Sequence, residues 1–154
     1  MAVCLLELKG FTNKDFAKYH PGGSLGKKLY LKVNDLLKNT VMPKVNPNSS
    51  IKDTILEISE KRFGATAVVD DDNILLGIIT DGDIRRMLEK SLNITNTFAK
   101  NIMSKSPKTV TINTMAIDAF NIMEENKITQ LTVVDENKYI GIIHLHDLLN
   151  EGIV

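Results

Sequence analysis

The chain has 154 residues, room for one ordinary domain or two very small ones. Apolar residues make up 43% and charged residues 25%, and 19 Lys plus Arg balance 19 Asp plus Glu: a globular profile with neither the basic excess of a nucleic-acid binder nor an acidic solvating tail. No apolar run is long enough for a membrane span, "MAVCLLELKG" lacks the flanks and cleavage pattern of a signal peptide, and the lone Cys4, a small core residue, suits a reducing cytoplasm.

In chain order, the stretch "FAKYHPGGSLGKKL" (16–29) comes first, a helix running into His20-Pro21-Gly22-Gly23 before a second short helix. Pro21 and Gly22 suit the two central positions of a type II turn. Too little chain precedes His20 to build a pocket around it, so within this chain it reads as a turn residue. The next helix is "SSIKDTILEISEKRF" (49–63), with Ile51, Ile55 and Ile58 on one face and a capping-box pattern at Ser50 and Asp53. A β-branched strand (67–70), an Asp/Asn-rich turn and a second strand (75–80) make a hairpin, and a short helix begins near Asp81. The linker "SLNITNTFAKNIMSKSPK" (91–108) lacks Gly-rich flexibility and holds a helical turn of its own. The order then repeats. A helix in "NTMAIDAFNIMEENK" (113–127) carries Ala116, Ala119, Phe120 and Met123 on one stripe; strands follow at 131–135 and 139–144, and a last helix begins near Leu145.

The repetition is literal. Val68-Val69-Asp70 matches Val133-Val134-Asp135, Gly77-Ile78-Ile79 matches Gly141-Ile142-Ile143, and Asp83 matches Asp147, with one extra residue in the first hairpin turn. A unit of about 60 residues buries too little surface to be comfortable alone. Two copies packed sheet to sheet, as one pseudo-symmetric module, are expected.

Two motif positions could carry chemistry. Thr80 ends a strand and opens a helix whose free N–H groups favour an anion, and Asp83 lies one turn further on. The same Thr-x-x-Asp spacing serves equally to cap the helix. Asp81 adds negative charge at that helix start; Arg85 and Arg86 either offset it or form a solvated face. In the second copy His144 replaces the hydroxyl residue. It is either a partly buried structural histidine or, when protonated, a partner for an anion. His144 and His146 with Asp147 do not make a convincing metal site, since no Cys or third His lies near, and no metal is expected.

The doubled "GIITDGD" and "GIIHLHD" (77–83 and 141–147), each behind the same hairpin, resemble a tandem pair of CBS domains over about residues 35 to 154. The resemblance implies an α/β (α+β) fold, each copy β-α-β-β-α about a pseudo-two-fold axis, and binding of adenosine nucleotides or related ligands. It gives the hydroxyl residue a phosphate and the Asp a ribose, which falls on Thr80 and Asp83 and, in the altered copy, on His144 and Asp147. It also implies face-to-face dimers.

The residues ahead of the repeat, "GF…DFA…HPGG.LG…L…V.DL", resemble the segment joining a sugar-isomerase (SIS) domain to a CBS pair in D-arabinose-5-phosphate isomerases of the Kdo pathway. That resemblance implies an SIS remnant and linker at 1–31, CBS domains at 32–96 and 97–154, and a cytoplasmic homotetrameric parent. It assigns His20 to the parent active site, whose other parts lie in the SIS domain, so this chain alone is expected to be inactive. No cofactor is implied; AMP, ATP or CMP-Kdo would be the regulatory ligand. A structural module that dimerises and binds nothing, and a stand-alone adenine-nucleotide sensor, remain open.

Overall fold

The computed structural model describes residues 27, 29–37, 42–90 and 93–153; His20 and the segment expected to be an SIS remnant, apart from its last few residues, lie outside them. A short helix α1 (Val33–Leu36) leads to the first unit: β1 (Lys44–Val45), α2 (Ile51–Lys61), β2 (Ala65–Val69), β3 (Leu75–Thr80) and α3 (Asp81–Glu89). A 3-10 turn (Ile94–Asn96), α4 (Ala99–Ile102) and β4 (Ser104–Lys105) connect to the second: β5 (Thr109–Thr111), α5 (Ala116–Asn126), β6 (Gln130–Asp135), β7 (Lys138–His144) and α6 (Leu145–Asn150). Each unit has the expected β-α-β-β-α order. Its first two strands run parallel and the hairpin antiparallel, in sheets ordered β1-β2-β3-β4 and β5-β6-β7.

The repeat extends to irregularities. Both hairpins carry a register shift at the same place, Val68/Val69 and Val133/Val134, and both long helices end on a left-handed residue, Arg62 (φ 60°) and Lys127 (φ 53°). The hairpin turns differ. Glu136 and Asn137 both have positive φ, as a two-residue turn demands. The longer first turn is held by Asp70 Oδ1, which accepts from the N–H of Asp72 and Ile74. It frees Asn73 to reach the other unit, where its side chain donates to the Tyr139 carbonyl at 2.7 Å and its own carbonyl accepts from Tyr139 N–H.

Local departures from the sequence reading have local causes. Strand β2 begins at Ala65, not 67, because it continues the pairing with β3 down to Thr80. Ile55 is half-buried, and Thr54 is buried in its place with its hydroxyl on the Ser50 carbonyl (2.9 Å). Ser50 caps α2 by accepting from Asp53 N–H, but the Asp53 carboxylate takes the Ser50 hydroxyl instead of closing the box on its backbone.

The strands alternate faces. Ala65, Ala67 and Val69 of β2 pack against Tyr139 and Ile142 of β7, which is the expected sheet-to-sheet contact. Tyr139 is fully buried against these small alanines, and its hydroxyl donates to the Pro43 carbonyl at 2.9 Å. Val68 and Ile79 face the other way, towards Ile58 of α2; Leu131, Val133 and Ile143 likewise pack on Ala119, Met123 and Leu148.

The two outer clusters do not follow the chain. Val33, with Leu31, Leu36 and Leu37, packs in the second unit's cluster; Ala99, Ile102 and Met103 pack in the first unit's. The crossings are symmetric: Val33 N–H donates to Thr114 O and Asn34 N–H to Ile112 O, as Ala99 N–H donates to Ser49 O and Lys100 N–H to Pro47 O, all at 2.9–3.0 Å. The repeated motif glycines make room for these segments. A Cβ on Gly77 would lie 2.8 Å from Met103 Sδ and 2.9 Å from the Ser104 carbonyl; one on Gly141 would lie 3.1 Å from a Leu37 methyl. Gly77→Ala should therefore cost about 1–3 kcal/mol in urea unfolding, the range for overpacking a fitted site. Gly141→Ala, which meets only the end of a side chain, should cost less.

Candidate ligand-binding site

The β3–α3 junction forms because Thr80 and Asp83 satisfy each other and the helix start. Thr80 Oγ accepts from Asp83 N–H at 3.3 Å and donates to Asp83 Oδ2 at 2.7 Å; Thr80 N–H donates to the same oxygen at 2.8 Å. Asp83 Oδ1 accepts from Arg86 Nη2 at 2.6 Å and from Ser104 Oγ at 3.2 Å. The carboxylate is 7% exposed and takes four hydrogen bonds. Burial pushes its pKa up, but the bonds from the Thr80 side chain and backbone and from Arg86 outweigh burial and hold it below the ordinary value. The capping alternative is thus realised, and the Thr80 proton is spent on Asp83 instead of pointing to a ligand. Arg86, more readily taken for a solvated residue, is the counter-charge of Asp83.

Thr80, Asp83 and Arg86 line a cleft of about 310 Å³ together with a wall of Ser104, Lys105 and Lys108 from the β4–β5 segment and with Gln130. Sequence reasoning missed that wall. The lysines of "SKSPK" flank a proline in a linker, and only the pairing of β4 with β3 (Gly77 with Lys105, Ile78 with Ser104) brings them to the site. Gln130, whose amide donates to Phe63 O at 3.2 Å, stands where the first unit has the buried Ala65.

His144 and Asp147 lie apart from the first pair. They line a larger cleft of about 680 Å³ with His146, Arg62, Asp81 and Gln130 among its other walls. Here His144 does the hydroxyl's work. Its Nδ1 accepts from His146 N–H at 3.1 Å, while its own N–H donates to Asp147 Oδ2 at 2.8 Å. An imidazole that accepts through Nδ1 carries no proton there, so the capping form is neutral. Burial first, and then the neighbouring His146, lower its pKa; Asp147 acts in the opposite sense. Of the two alternatives the sequence leaves open, the protonated, anion-pairing form is therefore disfavoured. The His144 and His146 rings stack at 4.9 Å and 10°, so they lie side by side instead of converging on one point. Among the described residues no group of three His, Cys, Asp or Glu is placed to hold a metal ion, and no helix is long and apolar enough to cross a membrane.

The sign of the His144 effect is fixed. A histidine with a lowered pKa in the folded state adds stability that is complete above the unfolded value near 6.5 and is lost as pH falls through the folded value. Asp83 contributes in a separate window, below about pH 4. His144→Thr, which restores the first copy's hydroxyl cap, should stay within about 1 kcal/mol of the parent chain at pH 8. It should also lose less melting temperature between about pH 7 and 5, measured by circular dichroism.

The CBS domain family model matches residues 33–90 and 99–153. The arabinose 5-phosphate isomerase KdsD of Yersinia pestis is 41% identical over 155 residues, covering 100% of this chain and 47% of that protein, so the chain spans about half the length of the curated relatives it matches. The solved CBS domain NE2398 superposes with TM-score 0.72 at 26% identity, over 80% of this chain and 98% of that one. CBSX2, solved in complex with AMP, superposes with TM-score 0.67 at 27% identity, over 79% and 96%. With both copies matched by the family, and the two-sheet pseudo-symmetric fold matched by solved members, the chain belongs to the CBS domain family as a tandem pair.

Proposed function

We propose that this chain is the ligand-sensing CBS pair of an arabinose-5-phosphate isomerase. It takes a nucleotide (AMP or ATP) or a nucleotide-sugar such as CMP-Kdo and biases an SIS domain that interconverts D-ribulose 5-phosphate and D-arabinose 5-phosphate. The observation that carries the sensing role is the buried Asp83 carboxylate on the wall of a cleft that also presents Arg86, Lys105 and Lys108. An acceptor for ribose hydroxyls and cations for phosphate are the two halves of ribonucleotide recognition. The AMP complex of CBSX2 and the match to the Yersinia isomerase support the reading. Within it, His20 belongs to the parent's active site, where a group able to move a proton between adjacent carbons is needed. The domain boundaries at 31/32 and 96/97 belong to the same proposal, as do a cytoplasmic location, dimers of this pair and a tetrameric parent.

A second reading is favoured by one observation. Every hydrogen-bonding site of Asp83 is already filled from within the protein, as suits a module that only dimerises. Exposed Leu56, Leu88 and Leu149 are apolar surface that such a module could cover. Ligand-dependent stabilisation separates the two. A ligand at 100 times its dissociation constant should add about 2.7 kcal/mol of stability, and no stabilisation by AMP, ATP, CMP or CMP-Kdo would leave the dimerising module.

Asp83→Ala should weaken nucleotide binding by about tenfold or more in calorimetry, since a hydrogen bond to a charged group is worth roughly 1.5–3 kcal/mol. Asp147→Ala should do less, because Asp147 lines the other cleft, beside the neutral His144 and away from Arg86, Lys105 and Lys108. The reverse ranking would move the site to the His144 cleft. Light scattering should report a dimer, and a monomer would remove the association from the proposal.

A further inference from the structure

The two oxygens of Asp83 are not equivalent. Among the described residues Oδ2 is held by Thr80 alone, through N–H and hydroxyl within one turn of chain, and this pair is what starts α3. Oδ1 is held by two groups that can leave. Arg86 has a side chain 61% exposed, and Ser104 sits on the exposed strand β4 with its hydroxyl at 3.2 Å. Asp83, Arg86 and Ser104 line the 310 Å³ cleft together with Thr80, so both replaceable partners of Oδ1 are within reach of a ligand bound there.

Two vicinal hydroxyls bring two O–H donors. They can take the places of Arg86 and Ser104 on Oδ1 without leaving the acceptor short or disturbing the Thr80 cap. The displaced guanidinium stays tethered one helical turn away. Arg86 also lines an adjoining cleft of about 420 Å³ together with Gly82 and Lys127, and its guanidinium already lies over Gly82, 3.4 Å from where a Cβ there would be. A ligand that carries an anion next to the diol gives that cation a new partner. A ligand with the diol alone separates Arg86 from its carboxylate and offers nothing in return.

We propose that Arg86 is the residue by which this cleft distinguishes a ribonucleotide from its nucleoside, resting on Asp83 when the cleft is empty and transferring to the phosphate when the ribose diol replaces it. This rests on the nucleotide-sensing reading above and names the discriminating group within it. Without the exchange, Arg86 would be only a fixed counter-charge, and its loss would weaken nucleoside and nucleotide alike.

The test is calorimetry on the wild-type chain, Arg86→Ala and Arg86→Lys with two matched pairs, AMP against adenosine and CMP against cytidine. Wild type should prefer the nucleotide. Arg86→Ala should shrink that preference by about tenfold or more, the order of one charge-assisted hydrogen bond. The loss should fall on the nucleotide while the nucleoside holds or tightens, because Oδ1 has been released. Arg86→Lys should recover part of the preference. In the ligand-free protein, a carbon-13 titration of the Asp83 carboxyl should move upward in Arg86→Ala, which reports the resting contact alone. An unchanged preference, equal weakening of both ligands, or an unmoved Asp83 titration overturns the exchange while leaving nucleotide sensing intact. A wild type that binds neither pair sinks both.

Discussion

Everything else in the molecule depends on the crossed segments. Each unit's outer face is finished by a short helix that belongs, along the chain, to the other unit: Val33 closes the cluster around Met123 and Leu131, and Ala99 closes the one around Ile58 and Val68. The backbone hydrogen bonds that dock them are the same in both directions. Neither half can therefore bury its hydrophobic face alone, and the inter-sheet contact of Tyr139 with Ala65 and Ala67 adds a third, shared cluster. A stretch of about 60 residues is a poor candidate for independent stability on size alone. Here the crossed helices make that a matter of specific contacts. They also build the candidate cleft, because Ser104 reaches Asp83, and Lys105 and Lys108 reach the cleft lining, by following α4 across.

Much of this fold was legible in the sequence, and what was not has a physical reason. Helices α2 and α5 announce themselves by apolar spacing, the hairpins by β-branched runs and turn residues, and the doubling by matched Val-Val-Asp and Gly-Ile-Ile. These are local signals. The crossings are long-range docking of short helices with no periodicity to display. Their one trace is the pair of glycines, Gly77 and Gly141, inside otherwise apolar strands, which mark close approach without saying of what. The extra residue in the first turn was visible as a length difference. Its use, placing Asn73 on the Tyr139 backbone, needed the two sheets in position.

The candidate site divides the same way. Thr80 and Asp83 could be found by motif, and their spacing also contained the capping arrangement the structure adopts. Arg86 sits three residues from Asp83, a spacing that puts two side chains on one helix face, yet spacing alone could not choose between that partner and solvent. In the second copy, substituting an imidazole for a hydroxyl keeps the cap and changes its chemistry. A hydroxyl accepts whatever the pH, whereas His144 accepts only while Nδ1 is bare. The two halves of one repeat have thus acquired different acid sensitivities from one substituted side chain.

The crossing of α1 also has a mechanical meaning. Lys27 pairs with Glu151 at 2.8 Å, and Leu31 hands its carbonyl to Ala116 N–H. Among the described residues the polypeptide thus meets the far unit before it threads back to lay down β1. A load applied at Lys27 or Leu31 is passed to Glu151, just past the end of α6, and to Ala116 at the start of α5, and α6 carries His146 and Asp147 of the histidine-capped cleft.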